Sequence, residues 1–166
     1  MKYLVIGRSG VGKDTLREAL ENQLGWNFVK SYTTRKKRFE SENTHVFITA
    51  YHASQIHDKV AKTFIDNGEG ACEYFATSDQ VKNSDAYIVD PFGAYQVLCN
   101  MPDEKFRIIY VYPVSKMEQI KAIKNRGDNI FDMFSRLKDE SAMFYSFERL
   151  LWIMSMTGMY FNNLDD

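Results

Sequence analysis

Cysteine and proline are scarce in this sequence. Its 166 residues include two cysteines, Cys72 and Cys99, and three prolines. Two cysteines are too few for a disulfide framework, and neither belongs to a CxxC or Cys/His zinc pattern. The sequence therefore predicts buried free thiols in a reducing compartment and no structural metal. The few prolines, with no linker-like tract or internal repeat, indicate a single domain over residues 1–166.

The chain also lacks an excess of either charge. Lys and Arg total 21 against 22 Asp and Glu, which gives a formal net charge of -1. A dedicated nucleic-acid-binding protein usually carries a strong basic excess, so we expect no nucleic-acid partner. The first apolar run breaks at Gly7, so we expect neither a signal peptide nor a membrane span there. These absences predict a cytoplasmic protein with no membrane contact.

Short apolar runs alternate with helical patterns along the chain. Runs at residues 3–6, 86–89 and 107–114 are typical of strands buried on both faces, and helical patterns lie near 14–24, 52–67, 93–99 and 115–125. The alternation predicts an α/β fold with a parallel sheet and helices on both faces. Such sheets bind ligands beyond the carboxyl ends of their strands, so we expect the chemistry just after residues 6, 90 and 114.

A glycine-rich loop lies between the first predicted strand and the first predicted helix. It reads GRSGVGK over residues 7–13, a G-x-x-x-x-G-K match in the strand-to-helix context that a phosphate loop requires. The glycines let backbone N–H groups face one concavity, and the lysine reaches the terminal phosphates. The alternative is a turn that only packs the helix on the sheet. We predict phosphate binding by Gly7, Ser9, Gly10, Val11, Gly12, Lys13, Asp14 and Thr15.

The residue after the lysine departs from the usual motif. A Ser or Thr normally stands there and ligates Mg²⁺, whereas this chain has Asp14, with Thr15 one position later. We therefore predict that Mg²⁺ is held by Thr15, through water to Asp14, or mainly by the nucleotide. Asp90, at the end of a predicted strand, is a further candidate for orienting Mg²⁺ through water or for contacting the nucleotide.

A basic segment follows the second predicted strand, residues 27–30. Residues 31–38 read SYTTRKKR. Taken alone, such a run is most often a solvated loop or a nucleic-acid patch, but beside a phosphate loop it can clamp the phosphate of a second substrate. The segment resembles the Ser-x-x-Thr-Arg-x-x-Arg hallmark of the guanylate kinase family, with Ser31, Thr34-Arg35 and Arg38 in the matching places.

Further matches to the guanylate kinase family keep their order along nearly the whole chain. They are His45-Val46-Phe47-Ile48 for Tyr-x-Phe-Val, Phe64-Ile65-Asp66 for Phe-Ile-Glu, Tyr74-Phe75-Ala76-Thr77 for Tyr-Tyr-Gly-Ser/Thr, Asp90-Pro91-Phe92-Gly93 for Asp-x-x-Gly, Asn125-Arg126-Gly127 with Arg136-Leu137 for the lid, and Phe161-Asn162-Asn163 for Val-x-Asn-Asp. Each short match is weak, but together they are specific.

The resemblance implies a fold, an organisation and a reaction. The fold is a P-loop kinase fold, with a parallel β-sheet core flanked by helices, a small acceptor-nucleotide-binding subdomain and a helical lid. The core would take about 1–30 and 81–125, the acceptor-binding segment about 31–80, and the lid about 126–145. The implied partners are nucleotides: ATP as co-substrate at the phosphate loop, and GMP or dGMP as acceptor, with Mg²⁺ as cofactor.

The resemblance also implies roles for individual side chains. Arg35 and Arg38 would grip the acceptor phosphate, because guanidinium forks match phosphate oxygens. Asp66 would accept from N1–H and the 2-amino group of guanine and Thr77 would bond O6, so adenine would leave buried polar groups unpaired. Two family tyrosines are replaced here, so Tyr74 or a protonated histidine would take over their phosphate contacts. The acceptor-binding set is Ser31, Arg35, Arg38, His45, Asp66, Tyr74, Phe75, Thr77 and Asp90.

Catalysis by such a site would need no general base. A monophosphate acceptor already carries nearly -2 charge at pH 7, since its second pKa is about 6. What remains is positioning and charge neutralisation around the transferred phosphoryl group. The resemblance assigns this work to Lys13, Arg126 and Arg136, together with Mg²⁺.

Other functions also fit parts of the sequence. Ribosyl bisphosphate phosphokinases share the Gly-Lys-Asp loop and a Ser-Glu-Asn that matches Ser41-Glu42-Asn43, and some phage deoxynucleoside monophosphate kinases use Gly-Lys-Asp-Thr. Guanylate-kinase-like scaffolds bind protein partners without catalysis, but they typically lose the loop lysine and glycines that this chain keeps. A nucleic-acid module using residues 35–38 conflicts with the net charge of -1.

A Met-rich and aromatic cluster recurs at roughly helical spacing near the end of the chain. It comprises Met133-Phe134, Met143-Phe144-Tyr145-Phe147 and Leu150-Leu151-Trp152-Ile153-Met154. We expect a buried helical face. The alternative is a partner surface, which would be covered in a homodimer.

Overall fold

The computed structural model describes residues 1–66, 70–112, 115–125 and 140–151, with only the main chain described at Asp66 and Asn125. In chain order the elements are β1 (Lys2–Ile6), α1 (Lys13–Leu24), β2 (Tyr32–Thr33), β3 (Val46–Phe47), α2 (Ala50–Gln55), β4 (Lys59–Asp66), β5 (Ala71–Thr77), α3 (Ser78–Lys82), β6 (Ala86–Ile88), α4 (Pro91–Asn100), β7 (Phe106–Tyr110), α5 (Lys116–Asn125) and α6 (residues 140–151). Within these residues no helix is both long and apolar enough to cross a membrane.

The central sheet is parallel and has the strand order β6-β1-β7. Its middle strand, β1, is apolar because both of its faces are covered: Leu4, Val5 and Ile6 are fully buried. The strands predicted at residues 3–6 and 86–89 are confirmed. The third is shorter than the predicted 107–114, because β7 ends at Tyr110, and residues 113–114 lie outside the described ranges.

Alternating side chains along β1 divide the core between the two faces of this sheet. Leu4 packs with Val97 of α4 and Phe144 of α6. Val5 packs on the opposite face, where Leu20 of α1 lies against the same cluster. Helices therefore cover both faces, and the predicted parallel sheet flanked by helices is confirmed.

The first helix connects the glycine-rich loop to the rest of the core. α1 begins at Lys13 and ends at Leu24, and Gly25 caps it with a φ of 67°. The N–H of Gly25 donates to the carbonyl oxygen of Glu21 at 3.1 Å. A residue in this left-handed conformation closes a helix most easily when it has no Cβ, so the predicted end of the helix is confirmed.

A second sheet, with strand order β3-β2-β5-β4, is built from residues 32–77. The predicted helix over 52–67 is wrong: α2 covers only Ala50–Gln55, and β4 runs from Lys59 to Asp66. Ile56, Val60 and Phe64 have helical spacing, which explains the error. The β-branched and aromatic residues of this stretch instead form an antiparallel ladder with β5, and that tertiary pairing outweighs the local pattern.

Two smaller expectations also differ from the structure. The strand predicted at residues 27–30 is reduced to a single bridge between Phe28 and Ala86, because the chain leaves at Tyr32 for the second sheet. Both cysteines are free, as predicted, but Cys99 is exposed and Cys72 half-buried. Cys99 is exposed because it lies on the solvent side of α4.

The Met-rich and aromatic cluster is divided between core and solvent. Phe144 is buried and Phe147 packs against the core, which confirms part of the predicted buried face. Met143, Tyr145 and Leu150 are exposed at 38%, 63% and 54%. Residues 133–134 and 152–154 of the predicted cluster lie outside the described ranges.

Candidate active site

The carboxyl ends of the three parallel strands meet at one edge of the central sheet. Val5 of β1 lies opposite Ile88 of β6, and the N–H of Val89 donates to the Val5 carbonyl at 3.0 Å. On the other side, the N–H of Val111 donates to the Ile6 carbonyl at 2.8 Å. The glycine-rich loop and Asp90 therefore begin at the same level, which is the edge where parallel sheets bind ligands.

Glycine is required at Gly10 by both conformation and space. Its φ is 78°, and a Cβ atom there would lie 2.7 Å from the carbonyl oxygen of Gln119 on α5. Gly12 also has a positive φ, 93°, but a Cβ atom there would meet nothing within 4 Å. The backbone of the loop is thus shaped by positions that L side chains rarely adopt, and α5 packs closely against one of them.

Lys13 stands at the start of α1 with its ammonium group turned back over the loop. Its Nζ atom donates to the carbonyl oxygens of Gly7 at 2.6 Å and Arg8 at 2.8 Å. The cation is therefore held inside the concavity of the loop, beside the helix N-terminus. That arrangement concentrates positive potential where an anion would bind.

Helix α6 brings two carboxylates to the loop. The N–H of Ser9 donates to Glu140 Oε2 at 3.0 Å, and its hydroxyl donates to Glu140 Oε1. Arg8 donates through Nε and Nη2 to the two carboxylate oxygens of Glu148, both at 2.7 Å. The hydrogen bond from Arg8 lowers the pKa of Glu148. Sequence reasoning missed both glutamates, because nothing in their spacing marks contacts more than 130 residues away.

Asp14 and Thr15 are exposed in the first turn of α1. Within the described residues, no three His, Cys, Asp or Glu side chains lie close enough together to hold a metal. A cation bound mainly by phosphate oxygens needs only one or two protein oxygens, and Asp14 and Thr15 fit that requirement at the phosphate loop.

A second cavity, of about 150 Å³, opens between the two sheets on the same side of the molecule. Strands β4, β5 and β6 all contribute to it. Four predicted acceptor-binding residues line it together, namely Ser31, His45, Tyr74 and Asp90. Its further lining residues are Ala61, Lys62, Thr63, Ile65, Tyr87, Ile88, Val89 and Gly93.

Asp90 also begins helix α4. Its Oδ1 atom accepts from the N–H of Gly93 at 2.7 Å, and Pro91 occupies the first turn. An Asp cap followed by Pro is a favourable helix start. Gly93 has no room for a side chain, since a Cβ atom would lie 2.4 Å from Val89 Cγ2. The structure places Asp90 on the cavity wall, where the acceptor is expected.

Arg35 is buried and forms an ion pair with Glu42. Its Nη2 atom lies 2.7 Å from Glu42 Oε1 and its Nη1 atom 3.2 Å from Oε2. The N–H of Arg38 donates to Oε2 at 2.7 Å, and the Thr44 hydroxyl donates to Oε1 at 3.2 Å. Glu42 thus folds the basic segment around one carboxylate. Sequence reasoning noted this glutamate only as part of Ser-Glu-Asn and missed its pairing.

The charge on Glu42 is strongly favoured in the folded protein. Burial alone would raise its pKa, but the hydrogen bonds from Arg35 and Arg38 and the Arg35 charge lower the pKa to about 2. The Glu42 carboxylate in turn fixes the guanidinium of Arg35. The Cζ atom of Arg35 also lies 5.3 Å from the centroid of the Phe47 ring. Its Nε atom is buried, and no acceptor for it is found within the described part of the chain.

His45 is held against Ser31, whose hydroxyl lies 3.0 Å from its Nδ1 atom. Burial lowers the pKa of His45, and the positive charge of Arg35 lowers it further. The lowered pKa favours a neutral His45 in the nucleotide-free protein, and the contact of a protonated His45 with the acceptor phosphate stays a prediction. Tyr87, which sequence reasoning missed, forms a hydrogen bond with Ser31 beneath the cavity, and burial raises its pKa.

Four predicted acceptor residues with described side chains lie outside this cavity lining, namely Arg35, Arg38, Phe75 and Thr77. Phe75 is fully buried and stacks on Tyr32 with ring centroids 5.1 Å apart, so it has no surface left for a ligand. The hydroxyl of Thr77 accepts from the N–H of Gln80 at 3.3 Å and so caps helix α3. Along β5 only Tyr74 faces the cavity.

The fold of this chain is similar to that of a known protein. No protein-family model and no curated protein sequence matches this chain. Among solved structures, guanylate kinase from Anaplasma phagocytophilum matches with a TM-score of 0.50 and 15% identity. The match covers 97% of this chain and 87% of that protein. The chain has the fold of that kinase.

Several predicted residues lie outside the described part of this fold. Arg126 and Arg136 are among them, as is the side chain of Asp66. Of the predicted lid, about 126–145, only residues 140–145 are described, and they belong to α6. The phosphate-loop set from Gly7 to Thr15 is described throughout and lies together at the end of β1.

Proposed function

We propose that this protein is a nucleoside monophosphate kinase that transfers the terminal phosphoryl group of ATP to GMP or dGMP. The observation that carries the proposal is the placement of two sites at one edge of the central sheet. One is the phosphate loop after β1, and the other is the cavity that begins at Asp90 after β6. Phosphoryl transfer needs a donor and an acceptor side by side, and adjacent parallel strands provide that arrangement.

The acceptor phosphate would bind near Arg35 and Arg38. Arg35 has a buried Nε atom for which the described residues offer no acceptor. An unpaired buried donor costs about 1–3 kcal/mol, so a phosphate oxygen that accepts from it gains that amount in binding. Glu42 would serve as a positioning residue, since its carboxylate holds the guanidinium of Arg35 in place.

The remainder of the acceptor would occupy the cavity beside Tyr74 and His45. A neutral His45 offers a hydrogen bond without a charge, which leaves the two arginines to neutralise the phosphate. Asp66 and Thr77 would read the guanine base in this proposal. Thr77 can cap α3 and still donate its hydroxyl proton, because a hydroxyl oxygen accepts and donates at once.

The donor would bind at the phosphate loop. Lys13 would leave the carbonyls of Gly7 and Arg8 to contact the terminal phosphates, with Arg126 and Arg136 as further cations. Mg²⁺, held by Asp14 or Thr15 and the nucleotide, would neutralise charge on the phosphate oxygens when bound. The protein itself supplies positioning and fixed charge, which suits an acceptor that is already ionised.

In the proposed kinase, different segments of the chain would bind the donor and the acceptor. Residues of about 1–30 and 81–125 would hold the donor, about 31–80 the acceptor, and about 126–145 would cover the transferred group. Covering the site prevents transfer of the phosphoryl group to water. The second sheet, built from residues 32–77, is the structural unit that would move with the acceptor.

The test is ADP production from Mg²⁺ and ATP with a panel of acceptors. The panel contains GMP, dGMP, AMP, CMP, UMP, dTMP and ribose 1,5-bisphosphate, with a no-acceptor control. We expect turnover with GMP and dGMP, lost in Arg38→Ala and less selective in Asp66→Asn. The matched control is Lys37→Ala, which removes an exposed cation from the same segment.

Other outcomes would replace the proposal with a named alternative. Turnover with ribose 1,5-bisphosphate alone would assign a ribosyl bisphosphate phosphokinase. Turnover across deoxynucleotides would assign a broad deoxynucleoside monophosphate kinase. No turnover with any acceptor, in protein shown to be folded by circular dichroism, would assign a non-catalytic guanylate-kinase-like module that binds protein partners.

A further inference from the structure

In the contact between α6 and the phosphate loop, a carboxylate of α6 is bound by the loop in the way that an anionic ligand would be. Both donors of Ser9, its N–H and its hydroxyl, converge on the two carboxylate oxygens of Glu140. The loop lies at the N-terminus of α1 with Lys13 folded over it. Charge-assisted hydrogen bonds of this kind, at a helix N-terminus, are how proteins hold phosphate.

We propose that Glu140 is an internal anion that occupies the phosphate loop in the nucleotide-free protein and is displaced when donor phosphates bind. The inference rests on the proposed function in one respect, namely that the loop binds a phosphate chain. It goes further, because it gives the nucleotide-free protein a built-in competitor for its own donor site.

Helix α6 does not depend on Glu140 for its attachment. Phe144 is 2% exposed and packs in the main core cluster. Glu148 pairs with Arg8 at 2.7 Å through two hydrogen bonds and also accepts from the Tyr110 hydroxyl. Glu140 lies more than one helical turn before Phe144 in this arrangement, so its carboxylate can leave Ser9 while the rest of α6 stays docked.

The carboxylate and a phosphate chain cannot share the loop. The carboxylate and the phosphate would both accept hydrogen bonds from the N–H and the hydroxyl of Ser9. Two anions a few ångströms apart also repel each other. A ligand that binds only the open form has an apparent affinity reduced by the fraction of molecules that are open. If nine in ten molecules hold the Glu140 contact, removing it tightens binding about tenfold.

The experiment measures binding of tripolyphosphate to the full chain by isothermal titration calorimetry. Glu140→Ala should bind about tenfold more tightly than the wild type. Glu140→Asp keeps the charge but shortens the side chain, so it should also bind more tightly, by a smaller factor. Glu18→Ala, which removes an exposed carboxylate from α1, is the matched control and should stay within about twofold of the wild type.

A second measurement separates a competing anion from a merely structural contact. If Glu140 must leave for the ligand to bind, Glu140→Ala loses stability in the free protein but matches the wild type at saturating tripolyphosphate. The equilibrium constant for unfolding and the affinity should then change by the same factor. Stability lost equally with and without ligand, at unchanged affinity, would overturn the proposal. Should the Ala variant fail to fold, Glu140→Asp decides through the same two measurements.

The failure of this inference can be told apart from failure of the proposed function. Acceptor phosphorylation with identical tripolyphosphate binding by wild type and variants would overturn the inference and leave the kinase standing. Tighter binding in the Glu140 variants without turnover of any acceptor would overturn the kinase proposal and support the inference about Glu140. Absence of tripolyphosphate binding in every form would overturn the inference, whatever the kinase assay shows.

Discussion

The phosphate loop and the acceptor cavity are built in different ways. The loop is one continuous segment, residues 7–13, whose shape follows from glycines with positive φ at residues 10 and 12. The cavity is assembled from residues as far apart as Ser31 and Gly93, on strands of two sheets. The first site is local in sequence, and the second exists only after the sheets have formed.

The two sites also differ in how they neutralise charge. At the loop, Lys13 donates to two neutral backbone carbonyls, which phosphate oxygens of a ligand can replace as acceptors. At the acceptor side, Arg35 is locked to Glu42 within a buried pair. The difference predicts that damage at the loop affects function first, whereas damage at Glu42 affects folding first.

The largest effect is expected at Lys13. Lys13→Ala removes the loop cation that would neutralise the transferred phosphoryl group, so kcat/KM for ATP should fall about a thousandfold. Circular dichroism melting should show little change, because the hydrogen bonds from Lys13 to the Gly7 and Arg8 carbonyls lie within one short loop. GMP binding measured by calorimetry should stay within about twofold of the wild type. A matching loss of GMP binding would show that the two sites are not separable.

Next in size is the loss of the buried ion pair. Glu42→Ala leaves the guanidinium of Arg35 buried without its partner, which should lower the free energy of unfolding by about 3–5 kcal/mol. Urea denaturation measures this directly. Glu40→Ala, at an exposed position two residues earlier, is the control and should change stability by about 0.5 kcal/mol or less. Equal effects of the two variants would contradict a structural role for Glu42.

Acid should weaken the protein through the same carboxylate. The pKa of Glu42 is lowered from 4.5 to about 2 by its partners, so its contribution is complete above pH 4.5 and is lost as the pH falls towards 2. The shift corresponds to roughly 3 kcal/mol. Urea denaturation at pH 7, 4.5 and 3 should show this loss in the wild type. Glu42→Gln should have a shallower slope over that interval; an unchanged slope would assign the acid sensitivity elsewhere.

A pair of glycine variants separates backbone strain in the loop from its steric contact with α5. Gly10→Ala meets the Gln119 carbonyl in addition to an unfavourable φ, whereas Gly12→Ala meets only the unfavourable φ. Strain of that kind costs about 1–2 kcal/mol, and the steric contact should add to it at residue 10. Thermal unfolding should therefore rank Gly10→Ala below Gly12→Ala. The reverse order would mean that α5 does not support the loop as described.

The smallest effect concerns His45 and the acceptor phosphate. Burial and the Arg35 charge lower the pKa of His45, so the neutral side chain is favoured from pH 7 upwards. KM for GMP should change less than about twofold between pH 7 and 8.5, in both wild type and His45→Asn. A KM that rises with pH in the wild type alone would show that a protonated His45 holds the phosphate.

Much of the fold was predictable from local pattern. The buried strand at residues 3–6, the helix that ends at Gly25 and the parallel sheet flanked by helices all follow from short-range signals. The stretch 59–66 was not, because its apolar spacing fits a helix and only the ladder with β5 makes it a strand. Glu42 was missed for a related reason: a glutamate in a polar segment looks solvated until Arg35 is buried beside it.

The phosphate loop can be predicted from residues 7–13 and the helix after them, since glycine positions and a following helix dictate backbone shape within a few residues. The side chains that surround the loop depend on long-range packing. Glu140 and Glu148 reach Ser9 and Arg8 across more than 130 residues, and the acceptor cavity joins three strands. Contacts between distant residues depend on how the sheets and helices pack, and no local pattern records that packing.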